Sequence, residues 1–169
     1  MNTTEEMEET AITDAVKYIE AIDTGYEQKA QLILVLLRLK PVAELSLYPW
    51  NTSPAETEQL LKKAGLIYLQ KKNKKQAKTT AEYAVSRDYE TATQLLNCES
   101  PVEYGSLMGY PPTAIAAYID HTIYGGPLPP DIKKSIFKMA FSTTHTEEEF
   151  ELIRKWDAAL RQYAPNLVH

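Results

Sequence analysis

The stretch CESPVEYGSLMGYPPTAIAAYIDHTIYGG, residues 98–126, holds the densest structural information in the chain. It opens with Ser-Pro-Val-Glu at 100–103, the spacing of a capping box with proline in the first turn, which predicts that a helix begins there. Gly109 can adopt the left-handed conformation that ends a helix, so this helix is predicted to run to about Met108. The Pro-Pro pair at 111–112 then fits the first turn of a second helix. The stretch is therefore predicted to form a helix–elbow–helix.

The elbow has two interpretations. In the first it is a structural corner, because tyrosines at helical spacing usually pack at the rim of a core. In the second it is a binding site, because the N–H groups at the start of the second helix can hold an anion. The pocket of this second interpretation is lined by Tyr110, Thr113, Asp120, His121 and Tyr124. The Gly-Gly-Pro sequence at 125–127 would form a flexible rim for it.

The acidic charge of the chain is concentrated at its N-terminus. Residues 1–9 contain four glutamates, no basic residue precedes Lys17, and without those glutamates the net charge of −5 becomes −1. This segment has too little apolar surface to offset the entropy of ordering it. We therefore expect 1–9 to be a disordered acidic tail and 10–169 to be a single globular domain.

The remaining patterns predict a mostly helical α+β fold. Apolar residues at helical spacing predict a buried helix from about 26 and a final helix opened by the capping box Thr-Glu-Glu-Glu at 146–149. Two short runs of strand formers predict a β-hairpin over about 66–86. The segment 42–50 is ambiguous, and the segment near Phe137 is either a third strand or a short buried helix. The expected fold is one domain with a small antiparallel sheet.

The connection within the predicted hairpin carries the basic cluster of the chain, which consists of Lys71, Lys72, Lys74, Lys75 and Lys78. Lysines of this kind commonly protect exposed strand ends. No aromatic residues are interleaved with them, as they would be in a surface that stacks bases. A nearly neutral domain also lacks a broad basic face, so a nucleic-acid partner is not indicated.

The composition argues against disulfide-bonded, Cys-rich zinc-binding, membrane-spanning and secreted proteins. Cys98 is the single cysteine, which leaves no intrachain disulfide and no Cys-rich zinc site. The longest apolar run, 32–37, is far shorter than the roughly 20 residues that a membrane span needs. The acidic N-terminus is unlike a signal peptide. We expect a soluble, cytoplasmic protein that contacts no membrane, holds no cofactor or metal, and is a monomer or homodimer.

Motifs of the common catalytic classes do not occur in the sequence, which contains no HExxH, CxxC, GxSxG or P-loop spacing. An enzyme would therefore depend on the histidines as general acid or base. This alternative hypothesis draws its site from Arg87, Asp88, Tyr110, Asp120, His121 and His145.

Four short motifs follow one another along the chain: Ser-Arg-Asp at 86–88, Tyr-Gly at 104–105, Leu-Met-Gly-Tyr-Pro at 107–111 and Ser-Thr-Thr at 142–144. Their order resembles an uncharacterised prokaryotic family whose members carry a Gly-Tyr-Pro-Cys-Cys motif in the central elbow. The resemblance covers roughly 65–163, and its most specific part is Gly-Tyr-Pro at 109–111. In this chain Thr113 and Ala114 stand where the cysteine pair is expected. A cysteine pair at a helix N-terminus would bind metal or undergo redox chemistry. The resemblance therefore implies the scaffold without the thiol chemistry, and it implies no particular activity.

The sequence favours a non-enzymatic binding or interaction module whose site lies in the helix–elbow–helix at 104–126. Its ligand would be a small molecule or a protein partner. The predicted binding residues are Arg87, Tyr110, Thr113, Asp120, His121, Tyr124 and His145.

Overall fold

The computed structural model describes residues 3–51, 53–72 and 78–168, with side chains described from residue 6 onward. These residues form a mostly helical α+β fold, as the sequence predicts. The helices are α1 (Thr3–Glu20), α2 (Tyr26–Leu36), α3 (Pro54–Lys63), α4 (Tyr89–Asn97), α5 (Pro101–Leu107), α6 (Pro112–Ile119), α7 (Pro130–Lys134) and α8 (Thr146–Tyr163). A short 3-10 turn, Pro165–Leu167, follows α8.

A small antiparallel sheet lies at the centre of the fold. Its strands are β1 (Val42–Leu47), β2 (Ile67–Gln70) and β3 (Ala81–Ser86), arranged in the order β1-β3-β2. The predicted hairpin is confirmed, since β2 pairs with β3 from Ile67 opposite Ser86 onward. The third strand is β1, which lies in the segment that the sequence left ambiguous.

The segment near Phe137 is not a strand. It follows α7 as irregular chain, with a single bridge at its end where the N–H of Tyr124 donates to the carbonyl of Phe141 at 2.8 Å, and its backbone near Phe137 is held by side chains. The hydroxyl of Ser135 accepts a hydrogen bond from the N–H of Phe137 at 3.1 Å and donates to the buried carboxylate of Asp157 at 2.9 Å. These local bonds replace the ladder that a third strand would need.

Both faces of the sheet are covered. Along β1 and β3 the side chains alternate, and one set joins the main core together with α2, whose residues from Leu32 to Leu36 are all buried. The sequence predicts this burial of α2 from its nearly continuous apolar run. The other set, Val42 and Ala84, joins a smaller cluster with residues of α4 and α5. Helices α4 and α5 therefore lie on the face of the sheet that α2 leaves uncovered, and α6 packs against α5.

The N-terminus differs from the expectation of a disordered tail over 1–9, because α1 extends back to Thr3. No proline or glycine interrupts this acidic segment, and glutamates near a helix N-terminus interact favourably with the helix dipole. The hydroxyl of Thr10 donates to the carbonyl of Glu6 at 2.8 Å, within the exposed part of the helix. Residues 1 and 2 lie outside the described residues.

The basic connection between β2 and β3 is described only at its ends. Lys71 forms an ion pair with Glu44 of β1, while Lys72 and Lys78 are exposed. Lys74 and Lys75 lie outside the described residues, so for them the protection of a strand end stays a prediction. Close to this end of the sheet, Trp50 is 75 % exposed and stacks on Tyr48, with ring centroids 4.9 Å apart and planes 2° apart.

The predicted elbow is confirmed in its backbone geometry. Ser100 caps α5 by accepting from the N–H of Glu103, and Gly109 has a φ of +78°, the left-handed conformation expected at the helix end. Helices α5 and α6 then approach closely. A Cβ placed on Gly105 would lie 2.7 Å from Cγ1 of Ile115, so glycine at this position permits the contact.

Replacement of Gly109 by valine should destabilise the protein by about 1–2 kcal/mol, because a β-branched residue is strained at positive φ. The surrounding space is not the obstacle, since the nearest side-chain atoms would lie 3.5 Å from the new Cβ. The measurement is the free energy of unfolding in urea. Gly125→Val is the matched control, because Gly125 has no atom within 4 Å of its Cβ position and no positive φ. Equal stability of the two variants would contradict the elbow geometry.

Candidate functional site

A cavity of about 550 Å³ lies against the elbow and is called the elbow cavity here. Its walls come from the segment before α5, from α5 and α6, and from the irregular chain at 139–140. The lining residues are Cys98, Glu99, Ser100, Pro101, Tyr104, Gly105, Tyr110, Ala114, Ile115, Tyr118, Met139 and Ala140. Most of these side chains are apolar or aromatic, and the volume falls in the range of about 300–1,000 Å³ typical of small-molecule sites.

Three tyrosines contribute hydroxyl groups to the elbow cavity, in addition to the side chains of Glu99 and Ser100. The hydroxyl of Tyr104 donates to Oε2 of Glu44 at 2.8 Å. Burial and this bond raise the pKa of Tyr104 well above its usual range. Burial also raises the pKa of Tyr110, and the negative charges of Glu27 and Glu44 add to the effect. Both phenols therefore keep their protons at neutral and moderately alkaline pH.

A buried lysine lies behind the wall formed by Tyr110. Lys40 is 4 % exposed, and its Nζ lies 5.5 Å from the centroid of the Tyr110 ring and 5.3 Å from that of Trp156. The ammonium group donates to Oε1 of Gln31. Burial lowers the pKa of Lys40 to about 8, although the charge of Glu27 opposes the shift. The aromatic wall of the elbow cavity thus separates it from a cation in the core.

The start of α6 is occupied by a carboxylate of the protein itself. Glu149 is 1 % exposed; it accepts from the hydroxyl of Thr113 at 2.6 Å and from the backbone N–H of Ser142 at 2.6 Å. The sequence predicts Thr113 as a binding residue and Glu149 as part of a capping box with Thr146. The hydroxyl of Thr113 is thus bonded within the protein, and its predicted role in binding stays a prediction. The capping box is not seen, because the N-cap of α8 is His145, without a side-chain cap bond.

The seven residues predicted to form one binding site lie in several places. Tyr110 lines the elbow cavity. Arg87 donates to the carbonyl of Leu36 at 2.6 Å and faces a separate hollow beside α1 and α2. Asp120 and His121 are exposed at the C-terminal end of α6, where His121 has a φ of +56°. The predicted set is therefore not brought together as one pocket.

Tyr124 and His145 share a shallow groove at the start of α8, away from the lining of the elbow cavity. The hydroxyl of Tyr124 donates to the carbonyl of Pro127 at 3.3 Å, and Nδ1 of His145 lies 2.8 Å from the hydroxyl of Thr144. His121 does not line this groove. Asp88, which the enzyme hypothesis includes, caps α4 by accepting from the N–H of Thr91 at 2.7 Å. That backbone bond is the main reason why the pKa of Asp88 is lowered.

Several lining residues of the elbow cavity were not predicted from the sequence. Tyr104 and Tyr118 belong to the predicted helices, and their aromatic side chains are the sequence feature that could have indicated a place in the cavity wall. Met139 and Ala140 come from a distant segment without a periodic pattern, and no feature of the sequence indicates their place in the cavity wall.

No protein-family model matches the chain, and no match was found among curated proteins or among solved structures. The resemblance to the Gly-Tyr-Pro-Cys-Cys family therefore stays a prediction. Among the residues that the structure describes, no helix is both long enough and apolar enough to cross a membrane. In the same residues, no group of three or more His, Cys, Asp or Glu side chains could hold a metal ion.

Replacement of Lys40 by methionine should change how stability depends on pH. The pKa of Lys40 in the folded state, about 8, is lower than the usual 10.5, so the unfolded state binds more protons between these values and folding gains stability as pH rises through them. Relative to Lys40→Met, the wild type should gain about 3 kcal/mol across this window. Urea unfolding at pH 7, 8, 9 and 10 measures the difference, and a pH-independent difference would be inconsistent with the buried amine.

Glu149→Ala should lower the free energy of unfolding by about 2–3 kcal/mol, because it leaves the N–H of Ser142 buried without an acceptor. Glu148→Ala is the matched control, since Glu148 is exposed in the first turn of the same helix. The control should change stability by less than about 0.5 kcal/mol. Thermal and urea unfolding of both variants provide the comparison, and similar losses in both would refute a special role for the buried carboxylate.

Proposed function

We propose that this protein is a binding module and that its ligand is a small molecule held in the elbow cavity. The observation that carries the proposal is the cavity itself, a concave space of about 550 Å³ with apolar walls and a few polar groups. Polar groups of this kind fix the orientation of a ligand, while the apolar walls supply most of the affinity.

The construction of the walls supports this proposal. The contact of Gly105 with Ile115 fixes α5 against α6, and Gly109 fixes the angle between them. Tyr104 is held by its hydrogen bond to Glu44 on the sheet. A site whose side chains are fixed before the ligand arrives loses less conformational entropy on binding.

A cavity-filling variant tests the proposal. Ala140 lines the elbow cavity, and Ala140→Phe should fill part of it, whereas Ala116→Phe changes an exposed position of α6 outside the lining. Native mass spectrometry of protein purified without chelator would compare the intact and denatured masses of all three proteins. We expect a small mass on the wild type and on Ala116→Phe and its loss from Ala140→Phe.

Cys98 offers a second measurement, because it is the single cysteine of the chain and lines the cavity. A bound ligand should slow the reaction of its thiol with a disulfide reagent, and removal of the ligand by partial unfolding and refolding should restore the rate. Retention of the same mass by Ala140→Phe would place the ligand elsewhere. A bare wild-type mass, together with a thiol rate that no added compound changes, would overturn the proposal.

A further inference from the structure

The part of the chain that builds the elbow cavity carries charge of one sign. Between Arg87 and Lys133 the sequence contains six acidic residues and no lysine or arginine. Its formal charge of −6 exceeds the −5 of the whole chain. This segment, 88–132, includes α4, α5 and α6 and supplies all of the cavity lining except Met139 and Ala140.

Among the described lining residues, Glu99 is the one with a carboxylate side chain, and it is exposed. Among the residues that the structure describes, no lysine, arginine or histidine lines the elbow cavity. The remaining polar groups are hydroxyls, backbone groups and the thiol of Cys98. An anionic ligand would find no counter-charge here, while a cation would find a carboxylate.

Three tyrosines complete the environment. Tyr104 is 38 % exposed and Tyr118 62 % exposed, so both present ring surface that a ligand can reach. The faces of aromatic rings attract cations, and ammonium groups bound by several aromatic side chains are a recurring form of recognition. The hydroxyl of Tyr104 also donates to Glu44, whose carboxylate is paired with Lys71 and holds this ring in place.

Three lysines of the described part of the chain adjoin the cavity wall, at Tyr110, at Glu44 and next to Met139, and each makes another contact. Lys40 is buried behind Tyr110, donates to Gln31 and lies in the field of Glu27. Lys71 pairs with Glu44, and Lys138 donates to the carbonyl of Lys133 at 2.9 Å. None of these ammonium groups reaches into the lining of the elbow cavity.

We infer that the ligand of the elbow cavity is an organic cation, an ammonium group carried on an apolar body. The apolar body packs against Ile115, Ala114 and Met139, and the ammonium group lies among the tyrosine rings beside Glu99. This inference rests on the proposed function and adds to it the charge and chemical class of the ligand.

Three probes with the same apolar body and different heads test the inference: 3-phenylpropylammonium, 3-phenylpropan-1-ol and 3-phenylpropanoate. Isothermal titration calorimetry at pH 7 and low ionic strength measures each affinity. We expect the ammonium compound to bind about tenfold more tightly than the alcohol, and the carboxylate to bind most weakly. Added salt should weaken the binding of the ammonium compound but not that of the alcohol.

Matched variants test whether residues of the cavity lining cause the preference for the ammonium compound. Glu99→Gln should weaken ammonium binding about two- to fivefold and leave alcohol binding unchanged. Glu90→Gln is its control, because Glu90 is an exposed acid of the same segment outside the cavity lining. Tyr118→Leu should cause a similar loss. Its control is Tyr89→Leu, because Tyr89 is 66 % exposed and does not line the cavity.

The outcomes separate the inference from the proposed function. If the alcohol binds as tightly as the ammonium compound, or the carboxylate binds more tightly, the cation preference is wrong while the cavity remains a binding site. If Glu99→Gln and Glu90→Gln weaken ammonium binding equally, the effect is one of general surface charge and the assignment to the cavity is wrong. If none of the three probes binds at millimolar concentration, the inference fails, and the native mass and the thiol rate then decide the proposed function independently.

Discussion

The structure depends on the need to cover both faces of a small antiparallel sheet. β3 is the central strand, and its side chains point alternately toward α2 and toward α4 and α5. An exposed apolar sheet face is costly in water, so each face requires its own layer of helices. One long apolar run is enough to form α2 and cover the first face. The second face is covered by short helices, and the angle between α5 and α6 leaves the elbow cavity open beside it. The cavity is thus a consequence of how this face is closed.

Local sequence patterns predict the parts of this fold that depend on local chemistry. The cap at Ser100 forms as its spacing predicts, and Gly109 has the positive φ that a helix end requires. The hairpin of β2 and β3 follows from its strand formers. In each case the deciding interaction lies within a few residues, such as the bond from the N–H of Glu103 to the hydroxyl of Ser100 at 3.5 Å.

The features that the sequence does not predict depend on distant partners. β1 is a strand because β3 lies beside it, and six alternating residues alone do not show this. The predicted capping box at Thr146 fails because the carboxylate of Glu149 is taken by Ser142 and by Thr113 of α6, which lies 36 residues away. The candidate site, too, depends on residues that are distant in the sequence. Tyr110 and the elbow were predicted, but the wall at 139–140 and the engagement of Arg87 by the carbonyl of Leu36 arise only in the folded chain.

The two tryptophans occupy opposite environments, and this gives the protein separate optical reporters of its surface and its interior. Trp50 is 75 % exposed and stacked on Tyr48, whereas Trp156 is 1 % exposed and lies beside the ammonium group of Lys40. Emission from the first indole should be red-shifted and open to quenching by iodide, while emission from the second should be blue-shifted and shielded. Since Lys40 also faces Tyr110, the shielded component responds to electrostatic changes at the back of the elbow. Fluorescence can therefore follow that region without an added label.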